Sequence, residues 1–454
     1  MNRRQFLARS ASLAAAFLPE AADTIRLTLN PGELLGVIPE DFIGLGYEIS
    51  SVARTGLLSA ANRQYVDLVR GLGKKGVIRI GGNTSDYSKF SADAAAVSAP
   101  KATVINLQNL RELGTFLDAT GWDLIWGLNL GCGSEDEAVQ EAQAVAAAVN
   151  GRLLAFEIGN EPDLFGNHAT HRPTGYVYQD FLRDYRRYKG AVRRALPKAQ
   201  FAGPDVAGAT GWVQQFAGDE GSDLKLLTHH YYRECAGPTS TLDKLLHTDP
   251  KLAPKLEQLK AASTAAHLPY RICETNSFCG GGKPGVSDTF GAALWVLDFM
   301  FKLAMAGAGG VNIETGVNQL DFISHYSPIR DDEHGGYSAA PEYFGMLAFA
   351  QASKGRLISA AYDAASLNLT AYAVENSPRQ FTVTLINKEA TQAAAVSIAS
   401  PRSISQAHAS LLTAPSLESK EGVRLSPYQG VNIKNRECQV HLPAASAAVV
   451  TLKY

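Results

Sequence analysis

Two glutamates stand where apolar runs of the sequence end. Glu161 ends the run FEIGNE (156–161), and Glu274 ends the run YRICE (270–274). Cleavage of a glycosidic bond needs a pair of carboxyl groups, because one must protonate the leaving oxygen while the other stays charged to attack or stabilise an oxocarbenium-like carbon. A separation of about 5 to 5.5 Å between the two groups is typical of retaining enzymes. Glu161 and Glu274 are therefore candidate catalytic residues.

A scaffold must bring these distant segments together. From about residue 44 to 355, short apolar runs alternate with longer segments of helical period, which is typical of a parallel β/α fold. The predicted strands are Gly44 to Ser50, Gly76 to Gly82, Asp123 to Leu130, Leu154 to Glu161, Gln200 to Asp205, Leu224 to Tyr232, Tyr270 to Asn276 and Val311 to Gly316. Eight such units favour a (β/α)8 TIM barrel over an open sheet, and the strand ends of a barrel meet in one cleft.

After residue 355 the hydrophobic period changes to two, as in LNLTAYAV (367–374) and QFTVTLI (380–386). This pattern, interrupted by turn residues, predicts a C-terminal antiparallel β-sandwich domain. The early segment TIRLTL (24–29) alternates in the same way, and we expect it to cross over to the sandwich. The predicted domains are a signal at 1–22, a joining strand at 23–36, the catalytic barrel at 37–355 and the sandwich at 356–454.

The N-terminus resembles an export signal. It begins MNRRQFL, continues in an alanine-rich apolar run to Leu18, and reaches small residues at Ala21 and Ala22. Paired arginines before such a run are typical of a twin-arginine signal peptide, so we expect a bacterial protein that is periplasmic or secreted. The run is shorter than the roughly 17 to 25 residues of a transmembrane helix, so no membrane anchor is expected.

The hydrophobic content, the net charge and the cysteines argue against several classes of function. With 46% hydrophobic and 19% charged residues, the chain is that of a well-packed globular protein. Its 42 basic and 44 acidic residues leave a net charge of -2, which argues against nucleic acid as a partner. The five cysteines are scattered and form no CxxC pair, so we expect mostly buried thiols, no metal site and no cofactor. The oligomeric state is not determined by the sequence.

Two segments resemble glycoside hydrolase family 79 of clan A, which contains β-glucuronidases and heparanases. FEIGNEPD (156–163) is similar to the acid/base strand of the clan, and ETNSFCGGGKPGVSDTF (274–290) is similar to the nucleophile region of the family. Matching blocks run from about Glu48 to Tyr343, which is the whole predicted barrel. The resemblance implies a (β/α)8 barrel followed by a β-sandwich.

The resemblance also implies roles for single residues. Glu161 corresponds to the general acid/base, Glu274 to the nucleophile, and Asn160 to a residue that bonds the sugar 2-hydroxyl. Glu48, which follows the first strand, is similar to an acidic residue that binds ring hydroxyls. Asn83 matches a polar sugar contact more loosely.

A family tyrosine that touches the nucleophile corresponds to the string HHYY (229–232), and Tyr231 is the preferred match. Its hydroxyl would keep Glu274 ionised by donating a hydrogen bond. The paired histidines of this string could instead belong to a metal site, but no third ligand is evident in the sequence.

A glucuronide carries a carboxylate at C6, and the family binds it with backbone amides of a glycine run and with a tyrosine. The matches are Gly280, Gly281 and Gly282, with Tyr326 as the tyrosine and Tyr337 as its rival. Missing side chains let the backbone approach a ligand closely. Cys279 departs from the family pattern, which has an aromatic residue just before the glycines.

These observations predict a retaining exo-β-glucuronidase whose partner is a carbohydrate that contains glucuronic acid. An endo-β-glucuronidase similar to heparanase is an alternative, although basic clustering is modest and the run from Arg183 to Arg194 fits a solvated helix face. A non-catalytic carbohydrate-binding protein on a hydrolase barrel is a third possibility, which the presence of both glutamates disfavours.

Overall fold

The computed structural model describes residues 24–167, 170–316, 324–332 and 334–454; the predicted export signal lies outside the described residues. The strands are β1 Ile25–Val37, β2 Ile43–Glu48, β3 Val77–Gly81, β4 Lys89–Phe90, β5 Val104–Ile105, β6 Asp123–Leu128, β7 Leu153–Ile158, β8 Ala202–Val206, β9 Leu226–Tyr231, β10 Tyr270–Thr275, β11 Gly310–Glu314, β12 Ile329–Asp331, β13 Tyr337–Ala339, β14 Arg356–Ala361, β15 Leu369–Ser377, β16 Gln380–Asn387, β17 Ala394–Ala399, β18 Gln406–Thr413, β19 Arg424–Tyr428, β20 Val431–Lys434, β21 Glu437–Leu442 and β22 Ser446–Lys453. The helices are α1 Ile49–Val52, α2 Arg63–Leu72, α3 Leu107–Thr120, α4 Glu135–Ala148, α5 Tyr178–Ala195, α6 Thr210–Glu220, α7 Leu242–Leu246, α8 Leu252–Ala266, α9 Phe290–Met305 and α10 Pro341–Ala352.

A parallel barrel forms the first half of the fold. Among the described residues its eight strands pair in the order β7-β6-β3-β2-β11-β10-β9-β8, and a bridge between Phe156 and Phe201 joins the two ends. The predicted fold class, a TIM barrel followed by an antiparallel β-sandwich domain, is confirmed as a TIM barrel with a separate and mostly antiparallel β domain. In the ranges that the structure describes, no helix is long and apolar enough to cross a bilayer.

The inner face of the barrel carries both apolar and polar side chains, and the outer face is apolar. Strand residues alternate between the two faces, so Val77 and Arg79 of β3 both point inward while Ile78 and Ile80 pack in the large core under the helices. Helix α4 begins in a capping box, in which Ser134 accepts from the Glu137 N–H and the Glu137 carboxylate accepts from Ser134. Strand alternation and helix capping thus place the helices on the outside of the barrel and leave the inner face for polar side chains.

The second domain is one sheet that folds around its own core. In the part of the chain that the structure describes, ten strands pair in the order β19-β18-β22-β16-β15-β14-β1-β17-β21-β20. The first strand, β1, is antiparallel to β14 and parallel to β17. Its Leu27 is fully buried beside Val383 and Val450 of the C-terminal strands. The beginning and the end of the described chain therefore share one domain.

A buried ion pair joins the two domains. Asp298 of α9 accepts hydrogen bonds from Lys388 Nζ at 2.8 Å, from Tyr372 Oη at 2.6 Å and from Thr370 Oγ1 at 2.7 Å, and Lys302 Nζ lies 2.8 Å away. Burial raises the pKa of Asp298, but the two lysines outweigh it, so the pKa lies below its ordinary value. Loss of one partner of such a pair costs about 3 to 5 kcal/mol. The barrel is thereby fixed against the sheet domain.

The prediction that most of the cysteines are buried thiols was wrong. Cys235 and Cys279 form a disulfide, although 44 positions separate them in sequence. Their Cα atoms lie 4.2 Å apart because they follow β9 and β10, which are neighbours in the barrel. Cys273 and Cys438 are buried thiols as expected, whereas Cys132 is an exposed thiol. Sequence spacing did not reveal the pair, since only the barrel brings its two loops together.

Candidate active site

The two candidate catalytic glutamates meet in the cleft of the barrel. Glu161 follows β7 and Glu274 lies in β10, and one carboxylate oxygen of each lies within 4.8 Å of the other. The pairing of β10 with its neighbours shifts register around Ile272 to Thr275, an irregularity at which the Glu274 side chain enters the cleft beside the inward Cys273. Glu161 adopts a left-handed backbone conformation at φ 51°. The structure brings both groups together as predicted.

Arg79 is the centre of the polar network below the cleft. Its Nη1 donates to Glu274 Oε2 at 2.9 Å, its Nε to Glu157 Oε2 at 3.1 Å and its Nη2 to Asn160 Oδ1 at 3.0 Å. Nη2 also donates to Asp205. The Arg79 side chain is fully buried, so its guanidinium holds one orientation. Arg79 therefore fixes the Glu274 carboxylate and the Asn160 amide in one arrangement.

His230 links the acid/base candidate to a buried carboxylate. Its Nδ1 lies 3.0 Å from Glu161 Oε1, and its Nε2 lies 2.7 Å from Asp205 Oδ1. Burial lowers the pKa of His230, but the charges of Asp205 and Glu274 outweigh burial, so its pKa lies well above the ordinary value. The ring is therefore charged and donates from both nitrogens. This leaves Glu161 Oε2 as the oxygen that can carry a proton toward a leaving group.

The tyrosine that contacts Glu274, the candidate nucleophile, is Tyr232, and the prediction of Tyr231 was wrong. Tyr232 Oη donates to Glu274 Oε1 at 3.2 Å, whereas the Tyr231 hydroxyl donates to Asp249. Side chains alternate along β9. Because His230 points inward, its neighbour Tyr231 must point toward the helices and Tyr232 back into the cleft.

We expect Tyr232→Phe to lower kcat/KM about ten- to hundredfold, since a hydrogen bond to a charged group contributes roughly 1.5 to 3 kcal/mol. Tyr231→Phe is the matched control: it removes a hydroxyl that bonds Asp249 outside the cleft, so kcat/KM should stay within about twofold of wild type. Steady-state kinetics on an aryl glycoside measures both. Equal losses in the two variants would contradict the assignment.

Glu48 lies at the mouth of the barrel, where the loop after β3 encloses it. It accepts from the Asn83 N–H at 3.1 Å and from the Thr84 N–H at 2.7 Å. Burial, with the charge of Glu274, raises the pKa of Glu48 to about 7. Gly82 has φ 72°, and a side chain there would meet the Glu48 carboxyl group. Asn83 is exposed and borders the cavity beside Glu161. Both predicted sugar contacts thus line the cleft.

Glu314 is a further acidic residue of the site that the sequence interpretation did not select. It ends β11, is buried, and neither carboxyl oxygen has a hydrogen-bond partner in the described chain. Burial, followed by the charges of Glu274 and Glu48, raises its pKa well above the ordinary value. Burial and the neighbouring carboxylates therefore favour the protonated form of Glu314, and both of its carboxyl oxygens are buried.

The predicted carboxylate pocket lies next to Glu274. Gly280, Gly281 and Gly282 have φ of 75°, 84° and 82°, a left-handed conformation that favours glycine. Gly281 is buried, and its N–H finds no acceptor in the described part of the chain. Tyr326 is buried, and its hydroxyl shares a hydrogen bond with that of Tyr232.

Tyr337, the rival of Tyr326, lies elsewhere. Its ring packs edge-on against Tyr65 at 5.1 Å, and its N–H donates to Gln64 on α2 at 3.0 Å. These contacts hold the β12-β13 hairpin against α2. The structure therefore places Tyr326 in the cleft and Tyr337 in a packing contact.

The spacing of one group of side chains could also suit a metal ion. Glu161, His230 and Glu274 each offer a ligand atom, and these atoms lie within 4.8 Å of one another. The guanidinium of Arg79, however, already bonds Glu274, and the charged His230 donates to Glu161. Two positive groups therefore occupy the positions from which a cation would be coordinated. His229, the other histidine of the pair, is buried and points away.

The residues that the sequence interpretation missed share one trait. Arg79, Asp205, His230 and Glu314 are charged or titratable residues within or at the end of otherwise apolar barrel strands. A charge on the inner face of a buried strand needs a partner. That signal could have identified them before their partners were known.

Comparison with known proteins agrees with this geometry. No protein-family model matches the chain. A β-glucuronidase of Aspergillus niger is 27% identical over 307 residues, which are 60% of this chain and 56% of that protein. Heparanase of Mus musculus is 27% identical over 263 residues, which are 55% of this chain and 47% of that protein. The matched region thus spans about half the length of these curated relatives.

Among solved structures, the crystal structure of a 4-O-α-L-rhamnosyl-β-D-glucuronidase from Fusarium oxysporum 12S superposes with a TM-score of 0.75. The superposition covers 94% of this chain and 100% of that chain at 19% sequence identity, and it shows a common fold. The relatives in sequence and the neighbour in structure are glycoside hydrolases. The chain therefore resembles the β-glucuronidases and heparanases of glycoside hydrolase family 79.

Proposed function

We propose that this protein is a retaining exo-β-glucuronidase that releases terminal β-glucuronic acid. The observation that carries the proposal is the approach of Glu161 and Glu274 to within 4.8 Å, with a charged donor beside each carboxylate. Inverting enzymes hold their carboxyl groups about 6.5 to 9.5 Å apart, to leave room for a water molecule. The shorter approach supports retention by double displacement.

In this mechanism Glu274 attacks the anomeric carbon while Glu161 protonates the leaving oxygen, and a covalent glycosyl-enzyme results. Glu161 then takes a proton from water, which attacks the same carbon and releases the sugar with its configuration retained. Arg79 and Tyr232 hold the Glu274 carboxylate in place for the attack. His230 occupies Glu161 Oε1, so the proton travels through Oε2.

The preference for a glucuronide rests on the pocket beside Glu274. The buried N–H of Gly281 lacks a protein acceptor in the described chain, and a buried donor without a partner is costly. A carboxylate oxygen of the sugar would satisfy it, and the Tyr326 hydroxyl, which bonds Tyr232 in the structure, would turn its hydrogen to the same group when the sugar binds.

A cavity beside Glu161 would hold the leaving group. A cavity of about 280 Å³ opens beside Glu161, lined by Asn83, Leu164, Phe165 and His171. It lies on the side of the acid, where a leaving group must be protonated. Across the cleft, backbone bonds and the disulfide join the loops after β9 and β10. We propose that these joined loops close this side of the cleft, which would restrict cleavage to chain ends. Release of monosaccharide from a glucuronan tests this.

Export is part of the proposal. Residues 1–22 have the order of a twin-arginine signal, and the disulfide suits a periplasmic or extracellular location, where disulfides persist. Fusion of residues 1–30 to a reporter that is active only outside the cytoplasm tests this directly. Replacing Arg3 and Arg4 by lysine should abolish the export.

Tyr326→Phe tests the substrate. We expect it to raise KM for an aryl glucuronide and to lower kcat/KM about tenfold or more, because a hydrogen bond to a charged group is lost. Hydrolysis of the matching glucoside, which has no carboxylate, should change by less than about twofold. If the wild type cleaves glucosides as well as glucuronides, or if the variant harms both alike, the glucuronide assignment is wrong.

A further inference from the structure

The disulfide lies directly beside the glycine run. Cys279 is the residue before Gly280, and Cys235 lies three residues after Tyr232, the tyrosine that bonds Glu274. Two backbone hydrogen bonds accompany the disulfide: Cys279 N donates to Glu234 O at 3.0 Å, and Ala236 N donates to Cys279 O at 3.1 Å. The loops after β9 and β10 therefore meet at this one crosslink.

The glycine run needs an external anchor. Three consecutive glycines have more backbone freedom than any other tripeptide, and these three adopt left-handed conformations. Their amides can bind an anion only while the backbone keeps this arrangement. Within the run, the anchor is the His325 N–H, which donates to Gly281 O at 2.7 Å. Before the run, the anchor is Cys279.

The two ends of the loop are held independently of the disulfide. Ser277 Oγ donates to Ser287 Oγ at 2.8 Å, and Lys283 N donates to the same Ser287 oxygen at 2.8 Å. Phe278 is fully buried between Leu245 and Ala292. Opening of the disulfide would therefore leave β10 and α9 in place, and between Phe278 and Gly280 only the two backbone bonds of Cys279 would still hold the chain.

The loop on the other side of the crosslink is rigid. The Glu234 carboxylate accepts from Ser240 Oγ at 3.0 Å and from Lys244 Nζ, which lies on α7. Cys235 is thus attached to a fixed segment, and the disulfide transmits that position to Cys279. Because Cys235 is exposed, a reductant in solution can reach the bond.

We propose that the Cys235–Cys279 disulfide is a redox-sensitive positioning element, which holds the glycine run in the geometry that binds the substrate carboxylate. The inference rests on the proposed function for the identity of that substrate. An external dithiol would reduce the bond by exchange: the two sulfurs of the protein each gain one proton, and the dithiol becomes a cyclic disulfide. The reduced enzyme binds glucuronides more weakly and keeps its catalytic carboxyl groups in place.

The test compares oxidised and reduced enzyme on 4-nitrophenyl β-glucuronide. We expect reduction by dithiothreitol to raise KM about tenfold, as for the loss of a charged hydrogen bond, with kcat changed less than about twofold. Removal of the reductant and reoxidation should restore KM. The double variant Cys235→Ser/Cys279→Ser should show the higher KM without reductant and no response to it.

Cys132→Ser is the matched control, since it removes the exposed thiol that is not in the crosslink; it should keep both the wild-type KM and the response to dithiothreitol. Mass spectrometry after alkylation confirms that two thiols have been released. An unchanged KM in enzyme shown to be reduced would overturn the proposal. An equal fall of kcat/KM on a matching glucoside would also overturn it, since it would indicate general loosening of the barrel.

A second readout does not depend on hydrolysis. Amide hydrogen exchange of residues 279–285 should speed up on reduction, while that of α9 should not change. If the protein hydrolyses no glucuronide, the proposed function fails, and this measurement still decides whether the disulfide holds the loop. Unchanged exchange of both segments would overturn the positioning role.

Discussion

Glu274→Ala should abolish glycoside hydrolysis, with a loss of kcat of at least about 10⁴-fold, because in the proposed mechanism the Glu274 carboxylate is the group that attacks the anomeric carbon. Addition of azide should restore bond cleavage. The small anion fits the space of the lost carboxylate and attacks the anomeric carbon from that face, while Glu161 still protonates the leaving group. The product is then a glycosyl azide of inverted configuration, which NMR of the product identifies.

Glu274→Gln is the matched control for that experiment. The amide fills the space of the carboxylate and can still accept from Arg79 Nη1, which bonds Glu274 at 2.9 Å in the native protein. We expect it to be inactive and not to respond to azide. Thermal unfolding of both variants shows whether the buried guanidinium tolerates the loss of its partner. A retained product at normal turnover in the alanine variant would remove Glu274 from the role of nucleophile.

The barrel was predictable because its signals are local and repeated. Each strand is a short apolar run, and each following segment has a helical period, so all eight predicted strands overlap strands of the structure. The two glutamates were also predictable, since both follow or end such runs. The barrel geometry then brings Glu161 and Glu274 together without further information from the sequence.

The polar network was not predictable in the same way. The role of Arg79 depends on Glu157, Asp205 and Glu274, which come from three other strands. No spacing in the sequence encodes that convergence. The error at Tyr231 has a different origin. Two tyrosines in succession occupy opposite faces of a strand, and only the inward orientation of His230 shows which of them enters the cleft.

Glu161→Ala should separate substrates by their leaving groups. A dinitrophenyl glucuronide needs little proton assistance, so its bond cleavage should be almost as fast as in the wild type. An alkyl glucuronide should react about 10² to 10⁴ times more slowly, which is the usual contribution of general acid catalysis. The limb of the pH profile that reports the acid should disappear. Pre-steady-state and steady-state kinetics on the two substrates measure these effects.

Azide distinguishes this variant from the nucleophile variant by stereochemistry. With Glu161 removed, the anion enters on the leaving-group side and attacks the glycosyl-enzyme that Glu274 has formed, so the glycosyl azide keeps the configuration of the substrate.

Glu161→Gln is the control for a structural role of Glu161. Its side chain can still accept a hydrogen bond from His230 Nδ1, which lies 3.0 Å from Glu161 in the native protein. It should lose proton transfer and show no response to azide. Because Glu161 has φ 51°, its Cβ already strains the backbone and alanine keeps that strain, whereas Glu161→Asn, whose side chain tolerates this conformation, lowers it. The same dependence on leaving group in the alanine and asparagine variants would therefore assign the effect to the missing acid, whereas equal losses on both substrates would assign Glu161 a structural role.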